Sequence, residues 1–151
     1  MGTPIRENSG KSYRKGIELE TMLKASNNID ISSNISFSKN KNIDYKTNFN
    51  GEVTNWGDTD ISFSPNLISS IALNFNPKKD LNISLLNKFV GDQYMSNTES
   101  VVSKLNSYST TDLNFIYSFK KSKYFNEIIF TAMLNNIFNK EYVCLLYTSD
   151  A

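Results

Sequence analysis

Between Tyr13 and Leu134 apolar side chains return at every second position in segment after segment. A period of two is that of extended backbone with two unlike faces, so the unit of construction is the β-strand. Six segments carry it. Tyr13–Lys24 sets Ile17, Leu19 and Leu23 against Arg14, Glu18, Glu20 and Lys24, and Ile29–Lys39 sets Ile29, Ile31, Ile35 and Phe37 against Asp30, Ser32, Asn34, Ser36 and Ser38. Leu67–Asn76 opposes Ile71, Leu73 and Phe75 to Ser70, Ala72, Asn74 and Asn76, and Leu81–Val90 opposes Leu81, Ile83, Leu85 and Phe89 to Asn82, Ser84 and Lys88. Thr111–Lys120 places Leu113, Phe115, Tyr117 and Phe119 against Asp112, Asn114 and Ser118, and Glu127–Phe138 places Ile128, Phe130, Ala132 and Leu134 against Thr131 and Asn135. Leu86, Val90, Ile116, Ile129 and Met133 blur the polar faces.

The connections alternate in length. Ala25–Asn28, Pro77–Asp80 and Lys121–Asn126 are short and polar, whereas 40–66 and 91–110 are long. Unstructured connections of that length are uncommon in a small domain unless they serve a function. Short, long, short, long, short is the rhythm of a membrane barrel with tight turns at one rim and extended loops at the other. The pattern therefore predicts an all-β fold: an antiparallel transmembrane β-barrel, incomplete, with about six consecutive strands of a larger wall. Odd-numbered segments would run inward and even-numbered ones outward. A soluble antiparallel sandwich or barrel also alternates and remains the competing architecture.

Composition agrees with strands that have one wet face. Asn and Ser make up about a quarter of the chain, Ala is scarce and Tyr and Phe are plentiful, a mixture poor for helices. There are 16 basic and 15 acidic residues, so no long-range field draws the chain to nucleic acid. The absence of His removes the usual general base and the commonest metal ligand. No stretch approaches the roughly 20 apolar residues of a membrane-spanning helix, and no apolar signal-peptide core is seen near Met1. That excludes a helical span but not a β-barrel, whose strands need only about 10 alternating residues each.

The last eight residues, Cys144 to Ala151, break the pattern. They match the translation of a transposon-type sequencing adapter, so the expectation is a barrel fragment over 1–143 followed by non-native read-through over 144–151. The single Cys then carries no information about redox compartment.

Against this background, Asn135-Asn136-Ile137-Phe138-Asn139-Lys140-Glu141-Tyr142-Val143 resembles the near-C-terminal signature of TonB-dependent receptors. Further stretches follow in the order of that family. Tyr13-Arg14-Lys15-Gly16-Ile17-Glu18-Leu19-Glu20 resembles a barrel strand with a Gly-hydrophobic-Glu core, and Ser64-Pro65-Asn66 stands where a Pro often precedes an inward strand. Phe89-Val90-Gly91-Asp92-Gln93-Tyr94-Met95-Ser96-Asn97-Thr98 and Tyr108-Ser109-Thr110-Thr111-Asp112-Leu113 resemble the next two conserved stretches. The form is similar to receptors of Bacteroidetes-like bacteria. The resemblance implies an outer-membrane location and import of a scarce chelate such as a ferric siderophore, haem or cobalamin. It also implies contact with outer-membrane lipid, and coupling to the TonB complex through a plug domain that these residues do not include. No nucleic-acid partner and no cofactor is implied. Another outer-membrane barrel of porin type and a soluble β-rich binding module are the alternatives, and an enzyme is the most distant reading.

No residue is assigned a catalytic or metal-binding role, and the ligand-contacting residues are left unassigned. Asp58-Thr59-Asp60 lacks the further acidic and Gly positions of a calcium loop. Glu18 and Glu20 share one strand face and read as lumen-facing structural groups rather than an acid/base pair. Tyr45 and Trp56 could grip a ligand, form a small loop core or belong to an aromatic girdle. Tyr124 and Phe125, beside a short turn, suit such a girdle.

Overall fold

The computed structural model describes residues 10–120 and 125–143. The expectations about the residues near Met1, Tyr124 and residues 144–151 lie outside the described residues. The described chain is all-β: β1 (Lys11–Lys24), β2 (Ile29–Phe49), β3 (Glu52–Asp60), β4 (Leu67–Lys78), β5 (Leu81–Val90), β6 (Gln93–Tyr94), β7 (Lys104–Leu105), β8 (Tyr108–Lys120) and β9 (Glu127–Leu134), with one 3₁₀ turn at Val101–Ser103. The main sheet has the order β1-β2-β4-β5-β8-β9, every pairing antiparallel, and β3 also pairs with β2. It is a wall of consecutive strands, an incomplete barrel of the predicted kind.

Directly paired residues share a face, so the register shows how the sequence pattern assembles. One row runs Leu23, Ile31, Leu73, Leu85, Leu113, Leu134 across six strands. The row beside it runs Ile29, Phe75, Ile83, Phe115, Ala132. The opposite face carries Lys24, Asp30, Asn74, Ser84 and Asn114 in one row. Hydrogen bonds knit it along and across strands: Ser84 Oγ to Asn74 Oδ1 and Asn82 Oδ1, and Asn82 Nδ2 to Asn76 Oδ1, each 2.8 Å.

The apolar band does not run straight across the strands. In β1 it spans Ile17 to Leu23 with its midpoint at Glu20, opposite Asn34 of β2. In β9 it spans Ile128 to Leu134 with its midpoint at Thr131, opposite Ile116 and hence Asn82. Asn82 is bonded to Asn76, whose backbone N–H donates to Asn28 at 2.7 Å. The band therefore slides about six residues, ~20 Å, across about five strand spacings, ~24 Å, which is a slant of about 40°.

No second layer covers that band. Val90, at 6% exposure, is the one buried hydrophobic side chain among the described residues, while Ile17, Ile71, Phe119 and Phe130 stand open. A soluble sandwich needs a facing sheet to bury such a surface, and the described chain supplies none.

Gly16 explains how β1 fits. A Cβ there would sit 2.4 Å from the Phe37 carbonyl oxygen, so only a residue without one lets β1 pair this closely with β2. Pro77 falls where the β4–β5 register shifts, a place where a missing N–H costs no ladder bond.

The structure corrects several boundaries. Alternation ends near Lys39, but β2 continues to Phe49, turns at Asn50-Gly51 and returns as β3, so 40–66 is largely a hairpin and not a loop. The ladder outlasts the hydrophobic pattern because backbone N–H and C=O groups need partners whatever the side chains are. The second long connection holds the small β6–β7 pair. The fifth segment begins earlier, at Tyr108, and the sixth ends at Leu134, before Phe138.

Candidate functional site

The short connections Ala25–Asn28 and Pro77–Asp80 lie at one end of the sheet and the two long ones at the other, and the long ones are built into a single body. Below the tip, β2 and β3 pair through a polar core in which Asn42, 4% exposed, donates to Thr59 Oγ1 at 3.2 Å. At the β3–β4 junction the backbone donors of Asp60, Ser62 and Phe63 are not taken up by β2. The second connection supplies their acceptors. Glu99 accepts from the Asp60 N–H, Asn97 Oδ1 accepts from Ser62 N at 2.7 Å, and Tyr94 O accepts from Phe63 N at 2.8 Å.

Lys41 closes this junction. Its Nζ lies 2.8 Å from Asp60 Oδ1 and 3.2 Å from Glu99 Oε1, all three side chains being roughly three-quarters buried. Burial works against the Lys41 charge, yet the hydrogen bonds to Asp60 and Glu99 outweigh it and raise its pKa above 10.5. Glu99 holds a positive φ of 50°, so its carboxylate is aimed by a backbone conformation that L-residues seldom adopt.

A second clasp closes the base of the other connection. Asp92 pairs with Lys104 at 2.9 Å and accepts from Ser107 N at 2.6 Å. The Lys104 bond first, then the Ser107 amide, lowers the Asp92 pKa, and Asp92 in turn raises that of Lys104. Beside it opens a cleft of about 300 Å³ with Gln93, Lys104, Tyr108, Lys140 and Tyr142 among its lining residues.

Two stretches that were singled out separately in the sequence meet here. Asp112 Oδ1 accepts from Asn136 N at 2.7 Å, and Tyr142 stacks on Tyr108 with centroids 4.5 Å apart and planes at 11°. Asn136 also clamps Lys140 from both sides, Oδ1 accepting from its N–H and Nδ2 donating to its C=O. The motif residues thus tie the chain after β9 back onto the start of β8.

The other singled-out residues are placed as follows. Glu18 and Glu20 lie on the polar face, opposite Ser36 and Asn34. Asp58 accepts from Asp44 N at 3.1 Å and Asp60 is held by Lys41, so both carboxylates are engaged in the hairpin. Tyr45 and Trp56 sit on β2 and β3, not in a loop, and Trp56 Nε1 donates to Thr47 Oγ1 at 3.0 Å while the ring stays 44% exposed. Phe125, just before β9, is 61% exposed. Sequence reasoning passed over Lys41 and Glu99, which no motif marks because they act through contacts between distant segments, and it quoted Asn97 within a family-like stretch without assigning it a contact.

No family model matches the chain, and no curated protein matches it. Among solved structures, the siderophore receptor PiuA from Acinetobacter baumannii is similar, with a TM-score of 0.69 and 17% identity over 88% of this chain. The chain spans 18% of that receptor's length. What the two share is the fold of a barrel wall.

Proposed function

We propose that this chain is a stretch of the wall and outer rim of an outer-membrane barrel of the TonB-dependent receptor type, from a Bacteroidetes-like bacterium. The whole protein would import a scarce chelate such as a ferric siderophore, haem or cobalamin. The observation that carries the reading is the slanted apolar band. A slant of about 40° is what a band parallel to the membrane looks like on strands tilted by the 35–45° usual for transmembrane barrels. The absence of any covering layer on that face, among the described residues, is the natural condition of a surface solvated by lipid.

On this reading the linked connections form the ligand-gathering rim, and the Asn- and Ser-rich face lines the lumen. The likeness to a siderophore receptor supports the choice of transporter type. Two measurements test it. In the full-length protein, Leu73→Cys should be shielded from a membrane-impermeant maleimide while its neighbour Asn74→Cys reacts. Deleting the gene should abolish uptake of a labelled chelate, and inactivating TonB should do the same. Uptake that persists without TonB would make the barrel a passive pore instead.

A further inference from the structure

The apolar band has one edge at which the chemistry changes within a single residue pair. Ile17 and Phe37 are directly paired across β1 and β2, and the next pair on the same face, toward the long connections, is Lys15 with Lys39. Like charges directly opposed on neighbouring strands repel. Nearby ion pairs are committed elsewhere, Lys41 to Asp60 and Glu99 and Lys46 to Asp44, and among the described residues no carboxylate bridges Lys15 or Lys39. Lys15 rests its ammonium over the Tyr13 ring at 5.5 Å. Lys11, four ladder pairs beyond Lys15 and so on the same face, adds a further cation.

Between the two lysines and the apolar pair lies an open groove of about 400 Å³, lined by Lys15, Gly16, Ile17, Phe37, Ser38 and Lys39. Ile17 is 74% and Phe37 56% exposed, so its floor is apolar and accessible. Gly16 brings the strands together beneath it without adding a side chain.

We propose that this groove seats one anionic lipid of the leaflet nearest the long connections. An acyl chain lies along Ile17 and Phe37, and the headgroup phosphate sits between the ammonium groups of Lys15 and Lys39. The proposal rests on the barrel reading above, which puts the apolar band in lipid. Charge complementarity selects the occupant: a phosphate monoester or diester relieves the lysine–lysine repulsion, whereas a zwitterionic lipid brings its own cation to the same place. Basic side chains at the edge of an apolar span are the usual recognition device for anionic lipid.

The test uses the full-length protein in nanodiscs of phosphatidylcholine with a minor fraction of phosphatidylglycerol bearing the same acyl chains, with retained lipid counted by native mass spectrometry. The wild type should retain phosphatidylglycerol in preference to phosphatidylcholine. The double variant Lys15→Gln/Lys39→Gln should lower retention about thirtyfold, five- to sixfold per lysine. Lys15→Arg/Lys39→Arg should keep it, and Lys88→Gln, on the polar face, should leave it unchanged. Equal retention of the two lipids, retention indifferent to the double substitution, or displacement by inorganic phosphate would overturn the lipid site while leaving the barrel intact. Failure of the wild type to insert would overturn the barrel reading itself, and the site with it.

Discussion

Leu23, Leu85 and Leu134 lie in one cross-strand row, yet the slant of the apolar band assigns them different depths. Leu85 is the midpoint of its segment, Leu81 to Phe89. Leu23 lies below the midpoint of β1 and Leu134 above that of β9, each by about three residues, ~10 Å along the strand and ~8 Å in depth on a ~40° tilt. In a band about 25 Å tall, both are well toward opposite edges. An Arg on the lipid face costs about 2–4 kcal/mol at the midplane and about 0–1 near either edge. Leu85→Arg should therefore destabilise by about 2–3 kcal/mol more than Leu23→Arg or Leu134→Arg, a 30- to 150-fold difference in the folding equilibrium. Urea titrations of the full-length protein folding into lipid vesicles measure it. If the row were instead packed under a protein layer, the three changes would cost alike. Equal costs, or Leu23→Arg the costliest, would refute the tilted-wall argument.

Gly16→Ala should lower stability by about 1–3 kcal/mol in the same titration, since the new methyl meets the Phe37 carbonyl and backbone must move. The two clasps should respond to pH in opposite directions. Because the Lys41 pKa is raised, its contribution is complete below 10.5 and is lost as pH rises through the raised value, so protection of the Asp60 amide from hydrogen exchange should fall in alkali. Because the Asp92 pKa is depressed, its contribution is present above 3.8 and is lost as pH falls through the lowered value, so protection of the Ser107 amide should fall in acid. Residues 1–143 expressed alone should not give a monodisperse monomer without detergent, because β1 and β9 each leave one edge unpaired in the described sheet and the apolar band is uncovered.

The six segments were legible because burial on one face and water on the other imprint a period of two on any strand that crosses the band. Once β2 leaves the band above Lys39, the side chains it buries are polar, Asn40 and Asn42 among them, so apolar alternation loses its cause and its last ten residues and all of β3 read as a loop. One signal for that hairpin was present. Asn50-Gly51, with φ of 52° and 89°, is the dipeptide that a two-residue turn of positive φ demands. The junction of Lys41, Asp60 and Glu99 left no comparable trace, since 58 residues separate Lys41 from Glu99 and neither sits in a motif. The Asn136 clamp was legible as a resemblance, and its contacts now give the reason: two residues with positive φ, Asn136 and Asn139, within one tight turn.

The hairpin tip has a practical consequence. The Asn50-Gly51 turn is exposed, nothing lies within 4 Å of where a Gly51 Cβ would be, and the ladder behind it holds the tip clear of the junction at Asp60 to Phe63. A peptide tag spliced between Asn50 and Gly51 would lengthen the hairpin without touching the amides that Tyr94, Asn97 and Glu99 secure. The same tag placed between Asp60 and Phe63 would pull the two long connections apart. The first position is therefore the one at which an antibody applied to intact cells could report the orientation of the chain, and the second is where an insertion would erase what it was meant to report.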